Sequence, residues 1–362
     1  MQYELKTRQV CLFLIALMPL TKLFLMPSVL AEHANEDMWI SALINCALDF
    51  VTLICIIRLC RLANTNVFGI IESAFGKVGA KIFFGLYAVY FLLKAVIPLN
   101  EQKDFVVYTL YTLMPILMYF LPFFALSFYF CTKNLRAVGR AADVLWFITL
   151  TAFAIIIPLS IANIDPAAIL PIGANGVVKI TSGSYSVLTW FGDAAYFLFF
   201  AGEFKYSKGD GKKIILSYLL SAAILILFLL IFYAAFTSIA SRQRFALTEI
   251  SKYTTVINSI GRFDYLGIFM ILFSNLFSLT MPMFITSKIL NYIFGFSKKW
   301  ISPLIAVGTQ ALLMVAFYRF IFGIENFIMQ YCGLIFIIFG NVIPIAVSLL
   351  YKKEKVYESA QS

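Results

Sequence analysis

Apolar residues run along this chain in blocks of spanning length, separated by short polar or basic connections. Roughly 20 residues of helix cross a hydrocarbon core about 30 Å thick, and blocks of that length recur from end to end. The spacing predicts ten helices, at about 7–30, 38–60, 78–111, 114–131, 141–161, 187–204, 214–236, 263–292, 301–322 and 326–351. Ahead of the third, the stretch 65–77 carries Val67, Ile70, Ile71 and Phe75 at helical spacing and is expected to lie in the membrane interface. Residues 163–186, rich in Gly, Pro and Ser, predict an ordered re-entrant or surface loop, and 237–258 the other long polar loop.

Two of these blocks are faulted. In the first, VCLFLIALMPLTKLFLMPSVL, Pro19 and Pro27 each remove a backbone donor, and Thr21 and Lys22 sit polar and charged between them. A break is expected near Met18 to Lys22. Broken backbone survives in lipid only where protein buries it or it lines a wet cavity, so the helix faces a site; the alternative is a kinked helix whose lysine snorkels. The sixth block carries Gly192 and Asp193 in its middle. Faults in the first and sixth of ten spans are what two five-helix halves of opposite topology give, here about 7–161 and 183–351, within one membrane domain 1–362 that ends in a tail at 352–362.

Matching faults in two halves point to a midplane site. Counted from Ser184, Asp193 lies roughly 14 Å along its helix and Lys22 roughly 22 Å along the first, which brings both near mid-depth from opposite sides. The candidate substrate residues are therefore Pro19, Thr21, Lys22, Phe191, Gly192 and Asp193, with part of the third and eighth blocks expected to line the same cavity. Lys22 and Asp193 read as a structural ion pair, as a water-solvated polar cleft, or as two charges that an amino acid's carboxylate and ammonium replace. Asp49 with Lys94 is a second candidate pair; with Glu101 these are the candidate groups for ion or proton coupling.

Composition narrows the class. The 362 residues are 62% hydrophobic and 13% charged, with mean hydropathy +0.92, which leaves no room for a sizeable soluble domain. The first block carries Lys22 and lacks a small-x-small site before AEHANED, so it is expected to remain as a helix. Six cysteines without paired spacing and one histidine, His33, predict neither a metal site nor a cofactor. No acid, base and nucleophile group together, so an enzyme is not expected. The net charge of +10 suggests nucleic acid until it is mapped: with the N-terminus inside, nineteen of the twenty-eight Lys and Arg fall on cytoplasmic positions, six outside and three within the membrane or at its outer edge. That is the positive-inside bias, and it places both termini in the cytoplasm.

Local sequences then resemble a known family. The run LFLMPSVLAEHANEDMWIS, Leu23 to Ser41, is similar to the "LP..la..Ag.DaWis" pattern of the B subunits of nutrient-germinant receptors, the spore germination permeases of endospore-forming bacteria. NVFGIIESAFGKVGAKIFFGLYAVYFL, TLMPILMYFL, NLRAVGRAADVLW, AAILPIGANGVVKITSGSYSVLTWFGDAAYFL and GRFDYLGIF resemble further family segments in the same order. There are departures: MPLTK stands where the family has a glycine-containing break, Met114-Pro115 lacks the family's threonine, and Asp193 replaces a glutamate. The resemblance implies the amino acid-polyamine-cation transporter fold, a LeuT-like five-plus-five inverted repeat. It also implies a nutrient-germinant sensor in the spore inner membrane, acting with an A subunit and a lipoprotein C subunit. The departures fall at or near the site, so the ligand is not carried over from the family; the midplane charges, which suit a zwitterion, make an amino acid the expected ligand. A proton-coupled secondary amino-acid transporter and a ligand-gated, ion-conducting oligomer subunit remain open beside the sensor.

Overall fold

A computed structural model describes residues 5–63, 65–109, 116–161, 164–252 and 264–351. The Met114-Pro115 motif, the start of the GRFD segment and the tail at 352–362 lie outside the described residues. The described chain is helical, with one isolated bridge between Leu5 and Phe204. The helices are α1 Thr7–Leu17, α2 Met26–Ala34, α3 Met38–Leu62, α4 Val67–Thr109, α5 Ile116–Cys131, α6 Leu135–Ile161, α7 Gly176–Ser186, α8 Ala194–Leu198, α9 Asp210–Phe236, α10 Ala246–Lys252, α11 Asp264–Phe294, α12 Ile301–Ala316, α13 Ile321–Tyr331, α14 Gly333–Ile337 and α15 Ile343–Leu350.

Six helical stretches are long and apolar enough to cross a membrane: Met26–Leu62, Val67–Val107, Leu135–Pro158, Asp210–Arg242, Gly267–Phe294 and Gly333–Leu350. A seventh arises if Ile301–Ala316 and Tyr318–Tyr331, bent by 61° at Phe317, count as one span. The sequence spacing predicts ten. The difference falls on the segments whose helices are interrupted, because α1, α7 and α8 are each shorter than a bilayer is thick, and on α5, of which Phe120–Cys131 counts only as a shorter apolar helix.

Several boundaries move for identifiable reasons. The acidic stretch after the first block is helical to Ala34 and turns at Asn35, where φ is 45°. The amphipathic stretch joins the following helix as α4, with the two parts divided at Gly76 (φ 70°, ψ 172°). The second part of the expected loop at 163–186 is the helix α7, which starts at Gly176, eight residues earlier than the counted start at Ser184. Its small polar residues read as loop, but Thr181 and Ser186 spend their hydroxyls on carbonyls within the same helix, those of Val177 and Gly183. Ser184 and Asn45 of α3 exchange two hydrogen bonds of 2.8 and 2.9 Å, and Ser41 donates to the Ile180 carbonyl. Between helices in lipid, small residues and polar side chains supply the close packing that a hydrophobic driving force does not. The turn before α7 is fixed by Asp37, fully buried, which accepts from Gly173 N–H (2.7 Å) and from the amide and side chain of Asn175.

The centre of the bundle is aromatic. Trp190, Tyr87, Tyr90, Phe84, Phe91, Phe197 and Phe200 are buried completely or nearly so, and Phe91 stacks on Tyr196 at 5.2 Å. Trp190 belongs to the second break, and the Tyr90 hydroxyl meets Gly192 there.

Candidate functional site

α1 ends at Leu17, a 3-10 turn covers Leu20–Lys22, and α2 begins at Met26 with Pro27 in its first turn. Pro19 supports the turn through its carbonyl, which accepts from Lys22 N–H at 3.0 Å. The second break runs from Val187 to Asp193: a 3-10 turn at Leu188–Trp190, extended backbone at Phe191 and Gly192 at φ 78°. A β-carbon at Gly192 would lie 3.0 Å from the Tyr90 hydroxyl and 3.1 Å from the Gly340 Cα, so conformation and space both call for glycine.

The breaks meet. Lys22, with no exposed surface, donates to the Met18 carbonyl (2.7 Å) and ion-pairs with Oδ2 of Asp193. Lys94 of α4 reaches Oδ1 of the same carboxylate at 3.4 Å and donates to the Phe191 carbonyl. The Phe191 ring lies 5.2 Å from the Lys22 ammonium and the Tyr196 ring 5.8 Å from that of Lys94. One aspartate thus holds two lysines, and each lysine also takes a carbonyl that the broken helices leave free. The cations sit at the ends of interrupted backbone, where the helix dipole favours positive charge.

Asp49 is not the partner of Lys94 that the sequence suggests. Its carboxylate accepts the Gly192 N–H at 3.0 and 3.1 Å and the Asn341 side chain at 2.8 Å. Asn341 belongs to a π-helical turn, Ile338–Val342, between α14 and α15, and also donates to Thr52. The α3 helix faces Asp49 toward the second break, so a backbone amide and a carboxamide satisfy it instead of a cation. Glu101 lies two turns along α4 from Lys94; it accepts the Trp190 indole N–H at 2.7 Å and a longer contact of 3.5 Å from Leu25 N–H.

A narrow crevice opens between the breaks. Thr21, Thr189, Trp190, Asp193 and Tyr196 line it, with Lys94, Ala95 and Pro98 of α4 and Ser278, Leu279 and Pro282 of α11. Its free space is about 20 Å³, room for a water molecule and far less than an amino acid needs. Lys22, Gly192, Pro19 and Phe191 stand behind that wall. Two buried hydroxyls in the lining, Thr189 and Ser278, have no hydrogen-bond partner among the described residues. The third and eighth blocks, expected to contribute to the lining, do so as α4 and α11; the α11 residues themselves are not singled out from the sequence, although Ser274, Ser278 and Pro282 repeat at a four-residue interval in an otherwise apolar helix and mark one polar face.

Beyond Trp190 lies a second buried polar cluster. Asn100, Glu101, Gln102, Lys103 and Asp104 are consecutive, and each is nine-tenths buried or more. Asp104 pairs with Lys103 (2.7 Å) and with half-buried Arg244 (2.6 Å); Asn100 donates to Glu325 of α13 at 2.6 Å, and Gln102 accepts from Asn275. Among the described residues no group of three His, Cys, Asp or Glu is placed to hold a metal ion.

The fold resembles solved transporters. A mutant of the manganese transporter of Eremococcus coleocola superposes with a TM-score of 0.65 at 13% identity, over 94% of this chain and 78% of that one. The same transporter in complex with an aromatic bis-isothiourea substituted compound gives 0.62, also at 13% identity and with the same coverage. At such identity the likeness speaks for the fold alone. No curated protein matches the chain. Residues 4–310 match the family described as "Spore germination protein", and a match over that much of its length shows that the chain belongs to the spore germination permease family.

Proposed function

We propose that this protein is the membrane-embedded nutrient-sensing subunit of a spore germination receptor, with an amino acid as its ligand at the two helix breaks. The observation that carries the reading is the convergence of Lys22 and Lys94 on the single carboxylate of Asp193. A zwitterion matches that set: its carboxylate takes a lysine, assisted by the free Thr189 and Ser278 hydroxyls, and its ammonium takes Asp193. The crevice is too small to admit the ligand as it stands, so binding requires the breaks to part. That movement is the signal a sensor passes on, since a ligand shifts a bistable bundle only by binding one arrangement better than the other.

The reading includes an architecture of ten spans in two inverted five-helix halves, both termini in the cytoplasm, and assembly with an A subunit and a lipoprotein C subunit. Its support is the family match, the transporter-like fold and the breaks at matching places in the two halves. The experiment is germination of spores carrying Asp193→Asn. The response to the nutrient is expected to weaken by tenfold or more while the protein remains in the membrane. Normal germination of spores lacking this protein on every amino acid, sugar and nucleoside tested rejects the sensor.

A second reading, a proton-coupled amino-acid transporter, is favoured by the permease family and by the buried carboxylates Glu101 and Glu325 beside the site. Uptake of an amino acid by the purified protein in vesicles, driven by an imposed proton gradient, puts transport in place of sensing.

A further inference from the structure

At the end of the bundle away from Glu101 and Asp104, a cavity of about 320 Å³ lies where the α5–α6 connection meets the α11–α12 connection. Lys133, Lys288 and Lys299 surround it, together with Asn134 and the serines Ser287 and Ser302. None of the three lysines has an ion pair among the described residues. Lys133 and Lys288 rest against aromatic rings, those of Tyr129 at 4.1 Å and Phe284 at 5.5 Å. Three like charges around one hollow repel each other and hold it positive. Glu203 lines a smaller neighbouring cavity on the other side of Lys288, which leaves Lys133 and Lys299 facing no carboxylate in this one.

The floor is built for an acceptor. Ser287 and Ser302 are 4% exposed, and their hydroxyl oxygens lie 3.3 Å apart in one hydrogen bond. That bond uses one of the two hydroxyl hydrogens. The other has no acceptor among the described residues, although a buried donor without one costs about 1–3 kcal/mol. Ser302 and Pro303 belong to the first turn of α12, whose N-cap residue Trp300 supplies no side-chain cap, so the positive end of a sixteen-residue helix adds to the field.

We infer that this cavity binds a phosphate-bearing anion, either a free one or the headgroup of an anionic lipid, held by Lys133, Lys288, Lys299 and the serine pair. Exposed lysines at the rim and buried hydroxyls at the floor suit an oxyanion with several acceptor oxygens. The first turns of α6 and the α11–α12 connection carry further basic residues, Arg136 and Arg140 in the one and Lys298 in the other, which draw anions toward the mouth.

The test is the thermal midpoint of the full-length protein in neutral detergent, with inorganic phosphate, with phosphatidylglycerol or with phosphatidylcholine. A rise with phosphatidylglycerol alone identifies the headgroup, and a rise with phosphate identifies a free anion; phosphatidylcholine is expected to give none. In Lys133→Gln/Lys299→Gln the apparent affinity is expected to fall by about fivefold per lysine removed. Lys133→Arg/Lys299→Arg is expected to retain it, as is Lys208→Gln/Lys212→Gln, which removes the same charge from exposed positions outside the cavity. Ser297→Trp fills the mouth without touching the charge and is expected to abolish binding, which decides the matter even if the glutamine variant fails to fold. No rise with either anion, a rise that survives both cavity variants, or an equal loss in the outside control overturns the site. None of these readouts depends on germination.

Discussion

At Asp193 two buried ammonium groups share one carboxylate, and removing that carboxylate leaves both without an anion. Breaking a buried pair costs about 3–5 kcal/mol because the remaining charge is uncompensated, whereas replacing both partners by groups without charge is often close to neutral. Asp193→Asn is therefore expected to lower stability by about that amount. Lys22→Met/Lys94→Met/Asp193→Asn, which removes all three charges together, is expected to recover most of it in a thermal melt while leaving the nutrient response absent. A triple variant that is stable and still responds shows that the charges are structural only. Gly192 makes a separate demand: Gly192→Ala forces a side chain into φ 78° with the Tyr90 hydroxyl at 3.0 Å, at an expected cost of about 1–3 kcal/mol. An unchanged melting midpoint in that variant would show that the break relaxes around a β-carbon.

Elements place these residues through contacts that the sequence does not carry. The break in the first block was legible because its cause is local: Pro19, Pro27 and Lys22 lie within nine residues, and any helix through them loses donors and buries a charge. Gly192 and Asp193 marked the second break in the same way. The partner of Lys94 was not legible, because it depends on how α4 is rotated against the second break, and rotation is set by packing. α7 was hidden for a related reason, since Gly183 and Ser184 find their partners, Ser41 and Asn45, on α3 in another part of the chain. Asn341 gave no signal at all, being one carboxamide in an apolar block. Yet it joins the π-helical turn to Asp49 and, through Asp49, to the Gly192 amide. A chain of three hydrogen-bonded groups in one network is expected to be non-additive. In a cycle of Asn341→Ala and Asp49→Asn, the measured coupling is expected at about 0.5–3 kcal/mol, and additive losses would mean that the last helix and the second break move independently.

Across the whole molecule the crevice is closed on one side by the buried polar cluster of α4. Trp190 forms part of the crevice wall and bonds Glu101, and Asp104, one turn further along, is held by Lys103 and by Arg244 from the connection after α9. Glu325 of α13 joins through Asn100, so three separate parts of the chain meet over the site. Buried ion pairs contribute little net stability, because desolvation offsets their attraction, but they hold one arrangement in preference to others. A plug of this kind opens when its charges find water, and half-buried Arg244 is already at that edge. In a background with the six native cysteines replaced, Ser278→Cys reports on the crevice through its reaction with a charged, membrane-impermeant thiol reagent. The reaction is expected to be slow while the cluster is intact. Asp104→Asn removes a carboxylate that pairs with both cations and is expected to speed it at least tenfold, with the nutrient restoring slow reaction if it closes the bundle around itself. Equal rates with and without Asp104 would show that the route to the crevice does not pass this cluster and that the opening lies on the other face of the bundle.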